Sequence, residues 1–170
     1  MTYFSTILDW LQQGVRLDQF SSPGMALLAA FALGFVFGAL PIGASELLAL
    51  AAGAVQPRSL ILPLLLLLTL GHVLGKLLWY WLGTFGSRVK HPKSKAWIAK
   101  AHEFNELHPA LGVGVLLSSA FASVPPFHLM AVAAGIVRVP LVEFLGTAVV
   151  GRAVRFGLVA LVPGVVGWFV

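Results

Sequence analysis

The chain has 170 residues, 59% hydrophobic and 10% charged, with a mean hydropathy of +0.94. A soluble domain carries roughly 25% charged residues to cover its surface, so this composition excludes an ordinary water-soluble globule and makes the bilayer the solvent. The formal net charge is +5, and the absence of cysteine excludes disulfides, thiolate metal sites and cysteine nucleophiles.

The first residues, Met1-Thr2-Tyr3-Phe4-Ser5-Thr6, carry neither a basic region nor a small-residue cleavage site, so no removable signal peptide is expected. Leu8, Trp10, Leu11 and Val15 then alternate with Asp9, Gln12, Gln13, Arg16 and Asp18. That is too polar for a span and predicts an interfacial amphipathic helix within residues 1–22. Ser21-Ser22-Pro23 is a helix-start signal.

From Gly24 to Val55 the chain is apolar but broken at Leu40-Pro41-Ile42-Gly43-Ala44-Ser45-Glu46, leaving pieces of about sixteen and ten residues. A full span needs about 20 apolar residues. Two short helices meeting at a Pro/Gly turn predict a re-entrant hairpin, which is tolerated at depth only where protein buries it or a watery cavity solvates it. Ser59 to Gly83 is long enough to cross, and Trp79-Tyr80-Trp81 near its end is expected at the membrane interface.

Much of the positive charge follows, in Arg88-Val89-Lys90-His91-Pro92-Lys93-Ser94-Lys95 with Lys100 close behind. In so apolar a chain the positive-inside rule explains this run better than nucleic-acid binding does, and it puts residues 88–100 in the cytoplasm. Trp97, Ala101 and Phe104, opposite Lys93, Lys100 and Glu103, predict a helix over 93–108 lying on the inner leaflet. Ala110 to Val137 is again broken, at Ser123-Val124-Pro125-Pro126-Phe127-His128, and Leu141 to Val170 supplies a last crossing.

The two broken segments are related. Glu46–Val55 laid over His128–Val137 gives six identities in ten positions, including Ala-Ala-Gly. Each copy follows a proline break and precedes a long helix with a polar cluster, Gly71-His72-x-x-Gly75-Lys76 and Gly151-Arg152-x-x-Arg155. One crossing separates the copies, so the two hairpins must enter from opposite sides, an inverted repeat with its site near the midplane. The expected architecture is a single all-α membrane domain over 1–170. It comprises an N-terminal interfacial helix (1–22), a first hairpin plus transmembrane helix (24–86), a basic surface helix (87–109), and a second hairpin plus transmembrane helix (110–170).

A charge at the centre of a membrane helix costs about 2.5–3.5 kcal/mol on insertion scales, so each needs a reason. Glu46 either caps the second half-helix, where the helix dipole favours negative charge, or is a functional carboxylate. His72 and Lys76 share a helix face. Lys76 either snorkels towards the cytoplasmic interface or works at depth, and His72 is placed to take or release a proton. Arg152 and Arg155 lie too deep to snorkel easily. They predict pairing with Glu46 or Glu143, or binding of a phosphate, which guanidinium engages through parallel hydrogen bonds. His128 either satisfies its turn or joins the site, and Glu143 is accounted for as a partner of its own helix dipole. Pro41, Gly43, Ser45, Pro125 and Pro126 form the two turns. No metal-ligand cluster, phosphate loop or Gly-x-Ser-x-Gly motif is present in the sequence, so neither a cofactor nor an enzymatic activity is expected.

The motifs, taken in order, resemble those of the DedA family, also called the VTT or SNARE-associated Golgi protein family, and especially its short YqaA-like bacterial members. The likeness runs from about Leu33 to Leu161. Pro41-x-x-x-Ser45-Glu46 resembles the family's motif in the first re-entrant loop. Gly71-x-x-x-Gly75-x-x-x-x-Tyr80-x-x-Gly83-x-x-Gly86 is similar to its glycine-spaced helix, and Ala134-Gly135, Phe144 and Gly151-Arg152-x-x-Arg155-Phe156 follow the end of the pattern. Two features depart from it. The places three before and three after Pro125, where the family usually has arginine, hold Ala122 and His128, and no acidic residue precedes Pro41 in 33–40. Arg152 and Arg155 are candidates for the missing positive charge.

The resemblance implies a multi-pass protein of the bacterial inner membrane that moves an anionic lipid, either undecaprenyl phosphate or a phospholipid, with protons as a candidate coupling ion. Membrane lipids are then the partners, and a homo-oligomer is compatible with this reading. The rival readings are a proton- or sodium-coupled transporter of small solutes and a non-transporting scaffold whose buried charges are structural pairs. An enzyme acting on lipid phosphates ranks behind both. The orientation has a direct test. A cysteine placed at Ser94 is expected to resist a membrane-impermeant thiol reagent applied to intact cells, and labelling from the periplasm would reverse the assignment.

Overall fold

The computed structural model describes residues 22–41, 45–55, 57–86 and 92–166. The predicted N-terminal helix, Gly43 and residues 88–91 of the basic run lie outside them. The described residues form seven helices and no strand: α1 (Pro23–Ala39), α2 (Ser45–Val55), α3 (Arg58–Gly86), α4 (Pro92–Leu107), α5 (Pro109–Ala122), α6 (Phe127–Ile136) and α7 (Leu141–Val166).

Local chemistry sets the boundaries. Ser22 caps α1 by accepting from the Met25 amide at 3.3 Å, with Pro23 in the first turn where its missing N–H costs nothing. Leu40 leaves the helix in extended conformation, as a residue before proline prefers. At the second break Ser123 is left-handed (φ 58°), the Val124–Pro125 peptide is cis, and Ser119 Oγ donates to the Pro125 carbonyl at 2.6 Å. The corner after α6 is a Schellman-type cap. Arg138 is left-handed (φ 57°) and the Val139 amide reaches back to Ala134 at 2.9 Å.

Among the described residues α3 and α7 are the helices long and apolar enough to cross a bilayer, with mean hydropathies of 2.0 and 1.6 over an apolar eighteen-residue stretch of each. Along α3, Leu62, Leu66, Leu70, Leu74, Leu78 and Leu82 form an exposed stripe at helical spacing. Val142, Val150, Val154, Leu158 and Leu161 do the same along α7. A leucine stripe of this length is untenable against water and fits a hydrocarbon solvent. The chain is a membrane protein.

The short helices pair crosswise. α1 packs on α3 and α5 on α7, each beside the long helix of its own half, whereas α2 packs on α7 and α6 on α3. Glycine makes these contacts close. A methyl group on Gly53 would collide with the Ala160 carbonyl of α7, and one on Gly135 with the Tyr80 carbonyl of α3. Gly71 and Gly75 likewise sit against the α1 backbone at Phe31 and Phe35, so the small-x-x-x-small spacing is a contact face. One expectation needs correction. Of the interfacial aromatic group only Trp81 is open, at 50% exposure. Tyr80 is buried, donates to the Val139 carbonyl at 2.7 Å and stacks on Phe144, while Trp79 Nε1 donates to the Ala39 carbonyl that ends α1. The helix runs on to Gly86, so Trp79 and Tyr80 lie within it and their polar atoms are taken up by neighbouring chain.

Gly135→Ala is expected to destabilise the protein by about 1–3 kcal/mol, since the added methyl meets backbone that cannot give way. Gly146→Ala, with nothing within 4 Å of its position, is the control and is expected to be neutral or slightly stabilising. Thermal unfolding in detergent micelles reads both. Equal effects would mean that α6 does not meet α3 closely.

Candidate functional site

The breaks in the two short-helix pairs meet the polar clusters of α3 and α7 around one cavity of about 180 Å³. Pro41, Ser45 and Glu46 line it from the first break, and Ser123, Pro126, Phe127 and His128 from the second. His72 and Lys76 of α3 and Arg152 of α7 complete the wall.

Glu46 is the junction. It stands in the first turn of α2, where the helix dipole favours a carboxylate, and accepts from Ser45 Oγ at 3.1 Å. Its Oε1 also accepts from Arg155 Nε at 2.9 Å and from Arg152 Nη1 at 3.3 Å. The pairing expected with Glu46 or Glu143 therefore forms with Glu46, while Glu143 is exposed in the first turn of α7. The three-residue spacing of the arginines puts both on the face of α7 that meets α2. Capping and charge pairing are performed by the same carboxylate.

Arg155 bridges two elements, since its Nη1 donates to the Phe121 carbonyl at the end of α5 at 2.7 Å. It holds Glu46 from the side and does not line the cavity wall. Arg152 is only 4% exposed, and its guanidinium lies 5.0 Å from the centre of the Phe127 ring, a cation–π contact. Its Nε has no hydrogen-bond partner among the described residues. The two guanidinium groups thus reach Phe121 and Phe127, the neighbours of Ala122 and His128.

His72 is 2% exposed, sits edge-on to Phe156 with ring centres 5.6 Å apart, and has no partner for either nitrogen among the described residues. Lys76 is 4% exposed and lines the cavity. His128 is half-buried in the first turn of α6 with its ring 5.6 Å from that of Trp79. Pro125 contributes only its carbonyl, which holds the turn through Ser119. Sequence marked Ser123 and Phe127 only as members of the second break and Phe156 only through the family pattern, and composition alone makes the two phenylalanines ordinary apolar residues of apolar helices.

Chemically, three basic side chains gather around one carboxylate, with unused donors at Arg152 and a histidine that can donate or accept. The arrangement suits an anion. Among the described residues no group of His, Asp and Glu is placed to hold a metal ion. If the Glu46–Arg155 pair carries the junction, Glu46→Gln and Arg155→Gln should couple by about 1–2 kcal/mol in a double-mutant cycle of stability. Additive effects would mean the pair is not formed.

Neither a curated protein nor a solved structure matches this chain. The family model described as the VTT domain matches residues 22–163, a stretch holding both breaks, all of α3, α7 as far as Pro163 and every charged residue of the cavity. The chain belongs to the VTT domain family, a membrane-associated family whose motifs the sequence already resembles.

Proposed function

We propose that this protein is a bacterial inner-membrane transporter of an anionic lipid, moving a phosphate-bearing headgroup through the cavity while the acyl chains stay in the bilayer. The observation that carries this reading is the surplus of buried positive charge and unused donors at Lys76, Arg152 and His72 around a single carboxylate. Leaving buried polar groups unpaired costs about 1–3 kcal/mol each. A phosphate oxygen would relieve that cost through charge-assisted hydrogen bonds, and guanidinium is the group best shaped to make them.

The crosswise packing supports the architecture that such transport requires. Gly53 and Gly135 are equivalent in the ten-residue repeat, and each abuts a carbonyl of the long helix from the opposite half, at Ala160 and Tyr80. Equivalent residues making exchanged contacts is what two re-entrant hairpins related by an inverted repeat would produce, with α2 and α6 bringing Glu46 and His128 together near the midplane. The α7 arginines reach the α5–α6 turn beside Ala122 and His128, so they serve in place of the arginines that the family pattern usually carries there. Glu46, His72 and His128 are the groups through which protons would couple to the movement. Residues 88–100 are read as cytoplasmic by their charge. No enzymatic step is assigned, and a homo-oligomer is compatible with the lipid-facing stripes.

The test is flipping of a fluorescent anionic lipid in liposomes containing the purified protein. Wild type is expected to accelerate flipping, and Glu46→Gln and Arg152→Gln, once shown to fold, to return it towards the protein-free rate. Wild-type flipping at the protein-free rate across several anionic lipids and pH values would overturn the proposal in favour of solute transport or a scaffold. Restoration of both fold and function by a matched neutral pair at 46 and 152 would make the charges structural.

A further inference from the structure

α5 and α6 leave space between them away from the charged cavity. Between the first half of α5 and the later turns of α6 lies an apolar groove of about 230 Å³, walled by Leu116 on one side and by Met130, Ala133 and Val137 on the other. Asn105 bounds it towards α4, its side chain lying over Gly112. Leu111 and Val115 on the α5 rim are exposed, so the groove opens outwards past apolar side chains. By contrast, the cavity that α1 and α2 form against Leu64 and Leu68 of α3 holds only about 20 Å³. Pairing two short helices does not by itself leave such a space.

The lining decides what can fill it. An apolar cavity of about 150 Å³ stays dry and admits benzene, so water is a poor occupant. An empty groove forfeits the dispersion contacts of its walls. Around a membrane protein the available apolar matter is the acyl chain of a lipid.

A charge stands beside the groove. Arg138 lies between Val137 and Val139, both lining residues, at the corner that follows α6. It is exposed and forms no ion pair among the described residues, exposed Glu143 in the first turn of α7 included. Its backbone is left-handed (φ 57°), in the capping position that glycine usually fills. Any advantage of arginine there lies in its side chain. His102 Nδ1 is 2.7 Å from the Val137 carbonyl, which sets the helix carrying exposed Lys100 against the same corner.

We propose that the groove is the site of a resident anionic phospholipid, with an acyl chain between α5 and α6 and its phosphate on Arg138, separate from the lipid that the charged cavity moves. The chain supplies packing that α5 and α6 lack, and guanidinium engages a phosphate through parallel hydrogen bonds. The basic segment of α4 is read as cytoplasmic, so the lipid comes from the inner leaflet, where anionic headgroups attract basic residues. The two sites share no lining residue, since the charged cavity takes Ser123 to His128 from the opposite ends of α5 and α6.

Native mass spectrometry of the full chain, purified in detergent and titrated with dioleoyl phosphatidylglycerol or dioleoyl phosphatidylcholine, tests this. One lipid per chain is expected to survive release from the micelle, with phosphatidylglycerol held about fivefold more tightly, the effect of one arginine facing an anionic surface. Ala133→Leu, which fills the groove, should remove that lipid, and Arg152→Gln in the charged cavity should leave it bound. Arg138→Gly should abolish the headgroup preference without impairing thermal unfolding, because glycine suits the left-handed backbone. Equal retention of the two lipids by wild type, or a preference that survives in Arg138→Gly, overturns the proposal. A lipid lost in Arg152→Gln but kept in Ala133→Leu would place it in the charged cavity, and a dimer dissociated by Ala133→Leu would give the groove to a second copy of the chain. Either result also overturns it. Flipping is not measured, so the resident lipid stands or falls apart from the transport reading.

Discussion

The contact of Glu46 with Arg152 and Arg155 joins positions 106 and 109 residues apart, and most of the remaining structure is arranged to make it affordable. An unpaired ion at this depth would be expensive, and removing one member of such a group leaves the others stranded. The chain meets the constraint by breaking its apolar segments. A continuous helix would carry Glu46 past α7 with no end at which to place it. The break at Pro41 creates a new N-terminus, and the dipole of α2 and the Ser45 hydroxyl then share the carboxylate with the two guanidinium groups.

A second constraint follows from the solvent. Between helices in lipid the hydrophobic effect supplies little attraction, so close backbone approach and hydrogen bonding must do the joining. The glycines of α3 against α1, Gly53 against α7 and Gly135 against α3 provide the first. Tyr80 to Val139, Trp79 to Ala39 and Arg155 to Phe121 provide the second, each satisfying a carbonyl at or near a helix end. The large side chains are accordingly divided. Leucines line the outer stripes, and aromatic rings such as Phe127, Phe144 and Phe156 fill the interior beside the charges.

Much of this was legible in the sequence because it rests on local signals. The two proline breaks, the two long helices and the cap at Ser22 follow from composition and turn chemistry, and the structure places them within a few residues of expectation. Depth arguments singled out Glu46, His72, Arg152 and Arg155, and the only ambiguity in pairing, Glu46 against Glu143, was a question of which helices meet. What sequence could not supply was partnership across elements. Only the family pattern separates Tyr80 from its tryptophan neighbours, and nothing local says that His102 will find a carbonyl 35 residues away. Phe127 becomes a partner of Arg152 only once α6 and α7 are both in place.

The second half-helix α6 is where these lines converge. Its first turn brings Phe127 and His128 to the charged cavity, its penultimate residue Gly135 is pressed on α3, and its C-terminal corner receives Tyr80 from one side and His102 from the other. A ten-residue helix spans only about 15 Å, so the charged cavity at its first turn and the backbone contact at Gly135 near its last are held by one short element. Because that contact is backbone against backbone, the position of Phe127 and His128 beside Arg152 and Lys76 depends on the fit of α6 against α3.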